Sequence, residues 1–280
     1  MPAYPTPAPV SVTARMEAGS IRFTAAERSD TVVGVRPRDP EKDLDVRTAE
    51  RTEVTCANGV LTIRTPRSVL PGRTGAVEVT VCLPAGSDID LTGTATQVTG
   101  AGRLGRTRVE TASGDARFDT TGPLKLATSQ GSLAVDRVEG PAEISTGSGS
   151  LRVGHVGGTG VLKNSHGSTV VGTATGELRV SSADGDIEIR HAGDSVTATT
   201  VNGTLRIAEV TRGAVRVENS RGPIEIGVRE GTAVVLDAIS SSGQVHNTFA
   251  PPAGPDRAGD TVKIHARALN CSIDVHRATV

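Results

Sequence analysis

Tryptophan is missing from this sequence, and only four aromatic residues occur among its 280: Tyr4, Phe23, Phe118 and Phe249. Stacking of bases or sugar rings on exposed side chains therefore has almost nothing to use, which argues against nucleic acid and stacked glycans as ligands. A dominant charge sign is missing too. The formal net charge is -1, so no broad field draws phosphate backbones or anionic lipid. No apolar run approaches the about 18 residues of a membrane span, and none is expected. The opening MPAYPTPAPV has neither a basic n-region nor an apolar h-region, so a cytoplasmic location is expected, with surface location left open. The cysteines Cys56, Cys82 and Cys271 are an odd set, far apart and without CxxC spacing. They read as free thiols or small apolar residues rather than as disulfides or metal ligands.

Glycine, by contrast, is abundant, and its placement is periodic. Taking Gly114, Gly131, Gly149, Gly167, Gly185, Gly203, Gly222 and Gly243 as reference, the successive gaps are 17, 18, 18, 18, 18, 19 and 21. Self-similarity at such a period marks a solenoid, in which each copy stacks on its neighbour. Two residues after each glycine stand Ala116, Leu133, Leu151, Thr169, Ile187, Leu205, Ile224 and Val245; four after stand Phe118, Val135, Val153, Val171, Ile189, Ile207, Ile226 and Asn247. Both columns are largely apolar with a polar residue between, the alternation of a short strand with one face buried. A second apolar pair follows about nine residues later in most copies: Leu124/Leu126, Ala142/Ile144, Leu178/Val180, Val196/Ala198, Val215/Val217 and Ala233/Val235. The sequence thus predicts an all-β single-chain parallel β-helix, or β-solenoid, with two short strands per coil of about 18 residues. Right-handed coils are expected from the general crossover preference.

The residues three before the reference glycines are Thr111, Thr128, Thr146, Asn164, Ser182, Thr200, Asn219 and Ser240. Small hydroxyl and amide side chains here read as hydrogen-bonding partners of the turn backbone, or of one another up the stack. The outward column includes Glu188, Arg206 and Glu225, which would form an alternating-charge ladder on a solvated face.

The sequence offers few residues placed for chemistry. His155 and His191 share a phase, but Thr173 occupies the coil between them; at two strand spacings they stand about 9.6 Å apart, too far for one zinc ion. Asp115 and Asp186 follow turn glycines, yet Ser132, Ser150, Ser168 and Thr204 fill that column elsewhere, so they read as turn caps rather than a calcium roll. No GxSxG elbow or Ser/His/Asp spacing is present. No catalytic, cofactor-binding or metal-binding residue is assigned, no cofactor is implied, and the binding residues stay unspecified.

Outside the repeat, residues 1–9 read as a Pro-rich flexible tail and residues 10–75 as an amino-terminal β cap, with the solenoid over 76–280. In the cap, GSIRFTA and TVVGVRP read as strands, and EVTCANGVLTIRT as a hairpin turning at Asn58-Gly59. DPEKDLDVRTAE is expected as a loop or strand edge, and APPAGPDRAGD as a loop before TVKIHARALNCSIDV, where Cys271 stands in the glycine position. The segments VEVTVCLPAG, TASGDARF, STGSGSLRV and SADGDIEI resemble the bacterial β-strand-repeat family of unknown function labelled "putative adhesin", over roughly residues 10 to 280. That resemblance implies the repeat fold and a cell-surface or envelope-associated role, and it supplies no catalytic residues. The expected function is a noncatalytic binding or scaffolding module, adhesin-like, with an unknown protein or cell-envelope partner and a monomeric state. Two alternatives stand beside it: a cytoplasmic self-assembling scaffold similar to bactofilins, and a polysaccharide-acting β-helix enzyme.

Overall fold

The computed structural model describes residues 2–67, 74–249 and 260–278. It divides into two compact units, Met1–Glu139 and Gly140–Val280. The first unit contains β1 (Ala3–Pro5), β2 (Ser11–Ala26), β3 (Asp30–Pro37), the helix α1 (Asp43–Glu50), β4 (Glu53–Ala57) and β5 (Val60–Arg64). It continues with β6 (Val77–Pro84), β7 (Asp88–Leu104), β8 (Thr107–Ser113), β9 (Ala116–Thr121), β10 (Leu124–Gln130) and β11 (Leu133–Val138). The second unit holds β12 (Ala142–Ser148), β13 (Leu151–Val156), β14 (Gly160–His166), β15 (Thr169–Ala174), β16 (Leu178–Asp184), β17 (Ile187–Ala192) and β18 (Val196–Asn202). After these come β19 (Leu205–Val210), β20 (Gly213–Arg221), β21 (Ile224–Val228), β22 (Ala233–Ser240), β23 (Val245–Asn247), β24 (Thr261–Ala268) and β25 (Ile273–Arg277).

The chain is an all-β solenoid of parallel strands, as the glycine period predicts. In the second unit β12, β14, β16, β18 and β20 stack in register as one face. The strands β13, β15, β17, β19 and β21 stack as the other. The paired apolar columns meet inside: Leu178, Val196 and Val215 lie in register, as do Ile187, Leu205 and Ile224, and all are buried. Burial of such columns from water is the main stabilising term available to a chain with so few aromatics.

The corners are closed by two devices, both visible in the sequence columns. Of the reference glycines all but Gly243 adopt positive φ, and at Gly185 and Gly222 an added Cβ would overlap the carbonyl oxygen of the glycine one coil below. Beside them the polar column clamps the turn. Asn219 Nδ2 donates to Gly203 O at 2.8 Å and to Gly222 O at 2.7 Å, and Asn164 Nδ2 donates to Gly149 O and Gly167 O. Thr128, Thr146 and Thr200 donate to carbonyls within their own turns, and Thr111 donates to Thr128 one coil on. Asn219 is 4% exposed. Replacing it with alanine is expected to cost about 2 kcal/mol, because two part-buried carbonyls lose their donor. Asn219→Thr should recover part of the loss, which urea unfolding of both variants measures.

The first unit begins out of chain order. β2 lies between β5 and β6 on one side and β7 on the other, parallel to all three. Beyond it the edge turns antiparallel: β4 covers β5, and β3 covers β6. The β4–β5 turn is the expected Asn58-Gly59 pair, with φ of 52° and 75°. Within residues 1–9, Ala3–Pro5 pair with β3 and Thr6 N donates to Ser29 O.

The stretch expected as a loop or strand edge is instead the helix α1. Its acidic residues Asp43 and Asp45 sit in the first turn and Arg47 in the last, matching the helix dipole. Buried Asp45 accepts from Asp39 N and from Ala76 N, tying the helix to its flanks.

The second unit ends out of chain order as well, which corrects the simple neighbour-on-neighbour expectation. The coil that follows Gly222 in space is not the Gly243 coil: β24 stacks on β20 and β25 on β21, and only then β22 on β24 and β23 on β25. The physical reason lies in the patterns. TVKIHARA alternates cleanly, so Val262, Ile264, Ala266 and Ala268 fill the interior column, with Ile273 and Val275 in the other. The less regular AVVLDAIS is left outermost. Its phase is also shifted from the expected one: Val234, Leu236 and Ala238, in register with Val262, Ile264 and Ala266, face inward, while Val235 faces out and is 52% exposed. The expected loop at residues 250–259 lies outside the described residues.

Candidate functional site

The residues singled out from sequence fall largely into structural roles. Asp115 Oδ1 accepts from Ser132 N and Asp186 Oδ1 from Thr204 N, each at 2.7 Å, so both cap the next coil's turn. His155 pairs in register with Thr173, and Thr173 with His191, keeping the two histidines two rungs apart. His191 Nδ1 lies 3.6 Å from Glu209, whose other oxygen lies 3.8 Å from Arg229. Among the described residues no group of three or more His, Cys, Asp or Glu side chains is placed to hold a metal ion. The three cysteines are free thiols, and burial pushes the Cys271 thiol upward.

The charge ladder forms in part. Arg206 meets Glu225 at 3.5 Å, while Glu188 turns along its own strand to Arg190 at 3.2 Å. Because β25 is inserted, Glu225 stands in register with Asp274, and His276 lies within 3.8 Å of both carboxylates. In the first unit Arg15 and Arg64 are directly opposed across β2 and β5, beside a groove of about 480 Å³ that Arg67 and Glu17 also line.

The surface that departs most from a finished solenoid is the outermost rung, β22 with β23. Its inward column is open: Val234, Leu236 and Ala238 are half-buried and Val245 is 40% exposed, whereas Ile264, Ala266, Ile273 and Val275 one rung below are fully buried. Its outward column carries Val235 and Ile239, the latter 55% exposed, on either side of Asp237. Asp237 is clamped from β24. Arg267 Nη2 reaches it at 2.7 Å and His265 Nδ1 at 3.2 Å, and these contacts hold its carboxyl below the usual range.

The backbone edge is open in the same place. Ala233 N donates to Asp260 O and Ser241 N to Ala268 O, so the odd-numbered peptide groups face the neighbouring strand. In a parallel ladder the N–H and C=O groups of Val234, Leu236 and Ala238 then point away from it. Among the described residues no strand pairs with that edge. This rung escapes sequence reasoning because AVVLDAIS is apolar in both phases and the repeat period implies stacking in chain order. The interruption of strict alternation at Val234-Val235-Leu236 is the signal that could have found it.

The family comparison agrees with this fold. A family model, Toastrack DUF4097, a domain of unknown function, matches residues 11–253. No curated protein matches the chain. A solved structure described as a "putative adhesin" from Bacteroides fragilis NCTC 9343 is similar at 13% identity, covering 98% of this chain and 95% of its own, with a TM-score of 0.37. A "putative cell adhesion protein" from Clostridium sporogenes ATCC 15579 is similar at 9% identity, covering 99% and 98%, with a TM-score of 0.25. A "putative lipid binding protein" from Parabacteroides distasonis ATCC 8503 is similar at 10% identity, covering 81% and 92%, with a TM-score of 0.30. No helix among the described residues is long and apolar enough to cross a membrane.

Proposed function

This chain belongs to the Toastrack DUF4097 family, and we propose that it is a noncatalytic β-solenoid binding module that engages a protein partner through the open rung β22–β23. The observation that carries this reading is the coincidence, on one rung, of a half-buried apolar column with a backbone edge that no strand pairs among the described residues. A finished solenoid end requires a polar cap, because exposed strand edges template pairing with other chains. Strand addition to such an edge draws affinity from main-chain hydrogen bonds and specificity from alternate side chains. Val235 and Ile239 supply the apolar contacts beside that edge. The scarcity of aromatics and the near-neutral charge favour an extended protein segment over a glycan or a nucleic acid. In this reading residues 10–75 act as the cap and residues 76–280 as the presenting solenoid.

A photo-cross-linking residue placed in the full chain tests the proposal in its native cells. Placed at position 239, it is expected to give discrete protein adducts, and placed at Arg206, exposed on β19, it should give none. Adducts at 206 with none at 239 would move the docking surface elsewhere and overturn the assignment.

A further inference from the structure

We infer that the occupant of the open rung is a second copy of this chain, paired through its own β22 as an antiparallel, two-fold related strand. The inference rests on the docking role of the rung and adds the identity of what docks. An isologous interface must be self-complementary about its axis, and β22 meets that demand about Asp237. With Asp237 on the axis, Val235 of one copy lies opposite Ile239 of the other. Leu236 lies opposite Ala238, so a large inward side chain meets a small one.

The hydrogen-bonding groups agree with this register. The peptide groups of Leu236 and Ala238 are the ones that point out of the edge, so the Leu236–Ala238 pairs become hydrogen-bonded pairs. The Val235–Ile239 pairs then fall at the close, non-hydrogen-bonded positions, where side chains approach most nearly. The two Asp237 carboxylates meet near the axis, each already held by Arg267 and His265 of its own chain. That neutralises the like-charge contact which would otherwise disfavour the pairing.

Two other occupants fit less well. An open filament would need an apolar edge of matching kind, and β4, which covers β5 in the first unit, does not offer one: Glu53, Thr55 and Ala57 are exposed and Val54 and Cys56 half-buried. A closed pair is therefore the form this edge supports. Residues 250–259 of the same chain read APPAGPDRAG, and their three prolines lack the N–H donors that a closing strand must supply.

Sedimentation velocity of the full chain from about 1 to about 100 µM tests the inference. The expected result is a concentration-dependent species of twice the 28.7 kDa chain mass. Ile239→Lys, at a side chain exposed in the single chain, is expected to weaken association at least about 30-fold while leaving the circular dichroism spectrum unchanged. Should that variant fail to fold, a pair of cysteine substitutions decides independently. Asp237→Cys is expected to form an intermolecular disulfide on oxidation, and Ala233→Cys none, since its symmetry mates would stand about 27 Å apart. A wild-type chain that stays monomeric at the highest concentration overturns the second copy. So does a dimer that is indifferent to Ile239→Lys and is not cross-linked by Asp237→Cys. If the chain is monomeric while the probe at 239 still captures a different protein, the docking reading stands and only the second copy fails; a silent probe removes both.

Discussion

Gly185→Ala is expected to destabilise the solenoid by about 3 kcal/mol, because the backbone there sits in a region essentially reserved for glycine. The φ of Gly185 is +148°, and an added Cβ would overlap the Gly167 carbonyl oxygen one coil below. Both penalties act together, and the overlap involves backbone rather than a side chain that can swing away. Gly231→Ala is the matched control. Its φ is +82°, but nothing lies within 4 Å of the added carbon, so the expected cost is only about 1 kcal/mol, from backbone conformation alone. Urea denaturation of the two variants measures the difference. Equal losses would show that the stacking contact between successive glycines contributes nothing.

Phe118→Ala is expected to cost about 4 kcal/mol, within the range for emptying a fully buried aromatic site. Phe118 is 0% exposed, and in this chain its ring has a specific seat. Gly100 stands in register with it on β7, and a Cβ at Gly100 would overlap the Phe118 ring and crowd Leu104. The glycine makes room for the aromatic ring. Gly100→Ala alone should therefore destabilise by overpacking. The double variant Gly100→Ala with Phe118→Leu should lose less than the sum of the two single changes, the coupling expected of residues in contact. Additive losses in thermal unfolding would contradict that packing.

Gly185 and Phe118 stand in columns the sequence carries openly, whereas the seat that Gly100 leaves for the ring comes from the register of β7 with β9. The glycine column, the two apolar columns and the Thr/Asn/Ser column are local repeats, and each maps onto one corner or one strand of the coil. Asn219 and Asn164 are legible as turn clamps because the position holds only small side chains with hydrogen-bonding groups. What the sequence conceals concerns order in space rather than conformation. β2 and the β24–β25 coil both insert between rungs that lie nearer to each other along the chain. Periodicity reports which residues point inward, and it is silent about which coil stacks on which. Cys271 in the glycine position marks β25 as a coil of the repeat, yet nothing local tells that it precedes the Gly243 coil in the stack.

The exposed rung is hidden for a related reason. In AVVLDAIS the apolar residues occupy both faces, so alternation alone does not choose between Val235 and Leu236 as the inward residue. The choice is made by the neighbour: Ile264 and Ala266 on β24 set the column that Leu236 and Ala238 join. The helix α1 is obscured by its charge, since DLDVRTAE has neither an apolar stripe nor strand alternation and depends on tertiary contacts through Asp45.

Docking at β22–β23 requires that rung to be the open end with β24–β25 inside, and hydrogen exchange on the full chain at low concentration addresses that order directly. Amides of β24 and β25, paired on both sides, are predicted to be among the slowest to exchange, and those of β22 that face the free edge among the fastest. Raising the protein concentration should slow the β22 amides selectively, as the edge becomes occupied. Fast exchange in β24 with protection in β22 would mean that the coils stack in chain order, and it would contradict the open rung on which the proposed docking depends.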